Sequence, residues 1–227
     1  MNTILHDTVA GVDEAGRGSV IGPIVIAGVL LEERLLETIK SYGVRDSKKL
    51  SPARRERLYK AVVENAVRVA FTIVDPFTID LYVKSRERLG GLNILELKGI
   101  SSVVRELKAT KIYVDCPDLN LARFCMMLKS EIPWSAEVIA FHKEYDDHPA
   151  VASASIVAKV LRDRIIHTLK DLYGDFGSGY PSDLKTVSFL RENYKNIEQI
   201  VRKSWKTSRL NLTLDKYTVQ GTIRPRQ

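Results

Sequence analysis

Two adjacent carboxylates, Asp13 and Glu14, end an apolar stretch and run into glycines, as Gly11-Val12-Asp13-Glu14-Ala15-Gly16-Arg17-Gly18. Acids at the end of a buried strand are costly unless they are paired or hold a cation. Side chains alternate faces along a strand, so Asp13 and Glu14 can serve one site only where the strand ends and the backbone turns. Gly16 and Gly18 permit that turn. Ordinary surface acids would look the same on this segment alone. A second acid, Asp115, closes Ile112-Tyr113-Val114, at the edge where open α/β sheets bind ligands. Alone, it could equally cap a helix over Leu119–Leu128. A third acidic point, Asp146-Asp147, precedes a run of small residues, and either Asp could be a plain helix cap. Carboxylates from three distant points repel one another unless cations bind. Oxygen donors in a partly open site suit Mg²⁺ or Mn²⁺. Paired ions of this kind serve phosphodiester hydrolysis.

Other candidates carry less. Gly16, Gly18 and Gly22 are spaced G-x-G-x-x-x-G, but the residues that follow read as a strand. A dinucleotide or P-loop site needs a helix N-terminus there. Cys116 and Cys125 have no CxxC spacing and no matching histidine pair, which argues against zinc. His142 and His148 could flank a site, but surface histidine is the better reading. Asp46-Ser47-Lys48-Lys49 is a loop that either binds phosphate or is simply solvated. Tyr180, between Gly179 and Pro181, is an aromatic on a rigid turn, able to stack on a sugar or base or to seal the turn.

The elements that must position these residues follow from periodicity. Strand-like runs fall at 8–12, 20–31, 67–74, 111–115 and 137–141. Ser51-Pro52 opens a helix through about Asn65. Further helices are expected over 94–107, 119–128 and 150–173. The last starts with Ala150, Ala152, Ser153, Ala154, Ser155 and Ala158, small enough for close packing on a sheet, and Gly174 stops it. More helix is expected to about Ser208. Adjacent early strands imply an antiparallel hairpin and the later βαβ units imply parallel strands. The economical fold class is α/β, a mixed five-stranded sheet flanked by helices with a helical C-terminal lobe. The boundary falls at 1–175 and 176–227.

At 227 residues, 44% hydrophobic and 28% charged, the chain has globular composition and length enough for a core without disulfides. Its longest uncharged apolar run, Val20–Leu31, is too short for a membrane span of about twenty residues. No secretory signal is visible, and two cysteines fit a reducing compartment, so a cytoplasmic protein is expected. The net charge is +7. Residues 195–227 hold eight Lys or Arg against two acids, nearly all of that excess. Such a segment suits a polyanionic partner or is a solvated tail.

The residues resemble a known family. Asp13-Glu14-Ala15-Gly16-Arg17-Gly18 is similar to the DEAGRG signature of type 2 ribonuclease H. Agreement continues in family order through Gly22-Pro23, Asp46-Ser47-Lys48, Val114-Asp115, Ala152–Val160, Arg162-Asp163, Gly177–Asp183 and Ser204–Thr207, about residues 10 to 210. The form without an extra N-terminal domain resembles archaeal ribonuclease HII.

The resemblance implies an RNase H-like fold. It also implies hydrolysis of RNA in RNA–DNA hybrids and incision 5′ of ribonucleotides embedded in duplex DNA. Two Mg²⁺ or Mn²⁺ ions would be held by Asp13, Glu14 and Asp115. The fourth family acid falls at Tyr145 here, so Asp146 is taken for it, with Asp147 in reserve. The Gly16-Arg17-Gly18 backbone and Tyr180 match the elements that recognise the ribose 2′-hydroxyl. Ser47, Lys48, Lys203 and Lys206 are expected along the substrate backbone. Residue 19 is serine where many relatives carry proline, a change expected to matter little. A monomer acting on nucleic acid, with no membrane role, is expected. Sliding-clamp contact has no support in the tail Gln220–Arg224, which lacks an aromatic pair. Two rivals remain: an actin- or hexokinase-like phosphotransferase, which would repeat its motif in a second half, and a non-catalytic hybrid-binding protein, which would not need the acids.

Overall fold

The computed structural model describes residues 5–44, 50–142, 148–206 and 208. Five strands, β1 (Leu5–Ala15), β2 (Ile24–Glu32), β3 (Arg68–Val74), β4 (Ala109–Asp115) and β5 (Glu137–Phe141), form one sheet. Its order is β3-β2-β1-β4-β5. The first three strands pair antiparallel, whereas β4 runs parallel to both β1 and β5. This is the expected mixed sheet, with the acid-bearing strands β1 and β4 adjacent at its centre. Gly11 pairs with Tyr113 and Val12 with Val114, so the next step along brings Asp13 level with Asp115.

The helices are α1 (Leu36–Ser41), α2 (Pro52–Asn65), α3 (Pro76–Lys84), α4 (Arg86–Leu89), α5 (Gly91–Leu107), α6 (Leu121–Ser130), α7 (Pro149–Tyr173) and α8 (Leu184–Ile197). Strand alternation splits the core into two layers. Ala10, Val12, Ile24, Ile26 and Val114 face α5 and α6. Val9, Ala15, Ala27, Val29 and Leu31 face α7 and α2. The small residues of α7 bring backbones together: a Cβ on Gly11 would sit 2.1 Å from the Ala150 carbonyl carbon. A third cluster joins Val20, Ile21 and Ile166 to Phe176, Leu190, Ile197 and Val201. Residues after 175 therefore share apolar contacts with the turn after β1.

The caps explain several boundaries. Ser51 accepts from the Arg54 amide with Pro52 at the first helical position, as expected. Asp75 and Pro76 repeat that signature at α3, a helix the periodicity did not reveal. α1, only six residues long, was also not anticipated. α6 begins at Leu121 rather than Leu119, and its cap is Asn120, not Asp115. β2 begins at Ile24, not Val20. The amides of Val20 and Ile21 instead donate to the Gly179 carbonyl, and Gly22 has φ +85°. The apolar run is buried throughout, but its first part serves a turn. β1 extends past Val12 through both acids to Ala15, so Asp13 and Glu14 lie inside the ladder. The expected helix to Ser208 ends at Ile197, followed by a 3-10 turn over Glu198–Ile200 and a bridge from Val201 to Ile21.

Candidate active site

Asp13 and Glu14 leave opposite faces of β1, yet both belong to one electrostatic group at the strand end. Asp13 is 9% exposed, and its Oδ1 accepts from the Glu14 amide at 2.7 Å. Burial pushes the half-buried Glu14 carboxyl well above its ordinary range, and the charges of Asp13, Glu96 and Asp115 push it further. Arg17 opposes the shift. Asp115, half-buried, is thus within electrostatic reach of Glu14 although the two are a hundred residues apart in sequence. Among the described residues, no three His, Cys, Asp or Glu side chains close into a metal cage. The acids form an open group instead. Their oxygen donors and mutual repulsion fit a hard divalent cation that keeps several waters.

Glu96 was not anticipated. It is 1% exposed on α5, and Arg17 Nε donates to its two oxygens at 2.8 and 3.1 Å. Burial raises its carboxyl, with Arg17 and Arg202 acting the other way. A lone acid on the apolar stripe with Leu92, Leu95 and Ile100 was the available signal. Arg17 Nη2 also reaches Asn93 Oδ1 at 3.1 Å and the Pro117 carbonyl at 3.4 Å. One side chain thereby links the end of β1, helix α5 and the segment after β4. The guanidinium is engaged with protein, so the part of Gly16-Arg17-Gly18 suited to a substrate is its backbone.

Gly16 has φ +88°, and a Cβ there would lie 2.2 Å from Arg162 Nε. Ser19 is fully buried, with its Oγ donating to the Gly16 carbonyl at 2.9 Å, so this residue closes the turn. Tyr180 is half-buried beside Gly18, where a Cβ would meet Cε1 at 4.0 Å. The Tyr180 loop is bonded internally: Asp183 accepts from the Ser178 amide at 2.6 Å and Thr186 from the Gly179 amide at 3.0 Å. Through Gly179 it is bonded to Val20 and Ile21. The structure therefore brings Gly16, Gly18 and Tyr180 together.

Two buried arginines support this region; Arg162 was noted only as part of the family resemblance, and Arg202 only as part of the basic C-terminal segment. Arg202, 0% exposed, donates from Nε to the Gly22 carbonyl at 3.0 Å and from Nη1 to the Arg17 carbonyl at 2.8 Å. Arg162, 4% exposed, donates to the Ile21 carbonyl at 3.4 Å, and its Cζ lies 5.0 Å from the centre of the Tyr180 ring. Among the described residues neither guanidinium makes an ion pair. Burial pushes Arg202 down to about 9, with the charge of Arg162 adding to the effect, and it stays cationic at neutral pH.

The remaining candidates are more scattered. Lys203 pairs with Glu198, and its amide donates to the buried Asp80 at 2.8 Å, so this charge is partly neutralised. Lys206 is exposed. Ser47, Lys48, Asp146 and Asp147 lie outside the described residues. His148 is not a simple surface histidine: its ring stacks on Tyr113 at 3.8 Å between centroids. His142 Nδ1 lies 3.2 Å from the Cys116 carbonyl. The cysteines are unbridged, and burial pushes the Cys116 thiol up to about 12, which makes it a packing residue.

Comparison with known proteins decides the family. The family model described as Ribonuclease HII matches residues 10–208. The chain belongs to the ribonuclease HII family. It is 42% identical to Ribonuclease HII of Pyrococcus horikoshii over 222 residues, covering 92% of this chain and 98% of that one. It is 47% identical to that of Caldivirga maquilingensis over 201 residues, covering 87% and 91%. The crystal structure of ribonuclease H2 from Pyrococcus horikoshii superposes with TM-score 0.84 at 40% identity, covering 93% and 100%. RNase HII from Archaeoglobus fulgidus, solved with PCNA, gives 0.78 at 38%, covering 92% and 100%. The family cleaves the RNA strand of RNA–DNA hybrids and ribonucleotides in DNA, and this ribonuclease HII is an enzyme of that activity. The family uses divalent metal ions. No helix among the described residues is long and apolar enough to cross a membrane.

Proposed function

We propose that Asp13, Glu14 and Asp115 hold two Mg²⁺ or Mn²⁺ ions at the ends of β1 and β4, with Asp146 as the fourth acid. The observation that carries this reading is the charge crowd around Glu14, to which Asp13, Glu96 and Asp115 all contribute. When bound, such ions polarise the scissile phosphate and activate water at neutral pH. The chain itself supplies the geometry. The Glu14 amide orients the Asp13 carboxylate. The Arg17 links to Glu96 and Pro117 hold the ends of β1 and β4 at a fixed spacing. The substrate is read without reference to its bases. The Gly16-Arg17-Gly18 backbone and the Tyr180 ring meet the ribose, whose 2′-hydroxyl distinguishes RNA from DNA. Ser47, Lys48, Lys203 and Lys206 would meet phosphates, which orient a duplex without sequence preference.

Residues 1–175 act as the catalytic domain and 176–227 as a basic lobe that presents Tyr180. The enzyme works as a cytoplasmic monomer. A clamp contact like that of the Archaeoglobus relative is not part of this proposal, because the tail offers no aromatic pair. The test is duplex DNA carrying one ribonucleotide, incubated with and without Mg²⁺. Incision 5′ of the ribonucleotide only with metal is expected, together with binding but no cleavage by Asp115→Asn. Near-normal turnover by that variant would remove the metal assignment.

A further inference from the structure

Arg162 is a buried cation with an unusual set of neighbours. It lies on α7, 4% exposed, and makes no ion pair among the described residues. Its Nη2 donates to the Ile21 carbonyl, and its Nε, without a hydrogen-bond partner, lies against Gly16. The Tyr180 ring sits over its flat guanidinium, 5.0 Å from Cζ to centroid. A buried charge without an ion pair is expensive even with Asp163 nearby, and a methionine would fill much of the same volume at lower cost. Arg202, packed nearby and itself within electrostatic reach of Glu96 and Asp80, adds repulsion to Arg162 rather than relief. The arginine must therefore contribute something an apolar side chain would not.

What it contributes is orientation. Gly179 and Pro181 constrain the backbone of Tyr180, but a tyrosine ring still rotates about two side-chain bonds. A planar cation against one face selects one ring setting, since the attraction depends on the cation facing the ring. The same guanidinium touches Gly16, so ring and turn are set by one group.

We propose that Arg162 is a positioning residue that fixes the Tyr180 ring against the Gly16–Gly18 turn and so sets discrimination for a single embedded ribonucleotide. This rests on Tyr180 being the ribose reader. Arg162 would touch neither metal nor scissile phosphate.

The test measures kcat and KM for Arg162→Met, Arg162→Lys, Tyr180→Ala and the double variant Arg162→Met/Tyr180→Ala. Each is assayed on a single-ribonucleotide duplex and on a long hybrid. Arg162→Met should lose about tenfold in kcat/KM on the single-ribonucleotide duplex, and clearly less on the long hybrid, where neighbouring riboses can engage. Arg162→Lys, which keeps the charge but loses the flat face, should recover only part of that loss. The double variant should be no worse than Tyr180→Ala alone, because Arg162 acts through the ring. Equal losses on both substrates, or additive losses in the double variant, would overturn the proposal. If Arg162→Met does not fold, the same comparison made with Arg162→Lys decides it. Full activity in Tyr180→Ala would instead sink the ribose-reader assignment on which the proposal stands.

Discussion

Asp13, Glu14, Glu96 and Asp115 crowd the end of the sheet, while Arg162 and Arg202 crowd the turn that follows β1. Both groups set like charges close together in a protein interior, but the chain treats them differently. The arginines direct their N–H groups to the carbonyls of Arg17, Ile21 and Gly22, which lets backbone dipoles stand in for counter-ions. Of the acids, Glu96 has Arg17, but Glu14 is pushed upward by three neighbouring carboxylates against one opposing arginine. A crowd answered from within the chain is a brace. The crowded carboxylates around Glu14 are what the proposed cations would answer.

The comparison breaks most sharply at Asp115. Asp115→Asn should lower turnover by about a thousandfold or more, while affinity for uncleaved hybrid stays within about threefold. Single-turnover cleavage beside equilibrium binding checks both halves. Near-parent cleavage would make the acids ordinary strand-end residues.

At the brace, Gly16→Ala places a methyl where Arg162 Nε lies 2.2 Å away, at a φ of +88°. The expected cost is about 3 kcal/mol in denaturant unfolding. Made in an Arg162→Met background, the same change should cost less, because a flexible side chain can give way. An equal cost would place the strain in the backbone alone.

Arg17 joins the two groups, and its removal sharpens the contrast. Arg17→Ala leaves Glu96 buried without its partner. The cost should be about 2 kcal/mol, damped because the Arg17 side chain is 42% exposed. Adding Glu96→Gln should restore part of it, and the double-mutant cycle measures how much. Strict additivity would mean the pair is not coupled.

The smallest effect concerns the Tyr180 loop. The Ser178 amide, then the Ser178 hydroxyl, holds the Asp183 carboxyl down at about 2, from an ordinary 3.8. A depressed carboxyl stabilises the fold above its unfolded value and loses that effect as pH falls through its folded value. Asp183→Asn should therefore melt slightly below the parent at pH 5. The gap should close between about pH 4 and pH 2. A gap that persists at pH 2 would assign the effect to lost geometry rather than charge.

How much was legible in the sequence divides along the same line. Asp13, Glu14 and Asp115 drew notice because acids in or after apolar runs are locally anomalous, and the structure brings them to one end of the sheet, although β1 runs on through Asp13 and Glu14. Tyr180 was legible through its glycine and proline neighbours. Arg162 entered only through the family resemblance, with no role read for it, and Arg202 only as part of a charge count. Arg162 sits beside the more exposed Asp163 and Arg164, and Arg202 lies in a basic run that reads as solvated surface. Their burial is decided by residues more than a hundred positions away. Val20-Ile21 misled in the opposite sense: burial was inferred correctly, but a turn held by Gly179 was taken for a strand. Helix α3 could have been found, since Asp75-Pro76 repeats the signature that revealed α2.

The bonds from Arg202 to Gly22 and Arg17 span 180 and 185 residues, and Ile21 bridges to Val201. On the ribosome the glycine turn emerges early, and the arginine that clamps its carbonyls emerges some 180 residues later. At about 5–20 residues per second, the nascent chain carries an unfinished turn for roughly 10–40 s. The turn is thus braced only once Arg202 has been made. A translation product that stops short of Arg202 lacks that clamp on the Arg17 and Gly22 carbonyls.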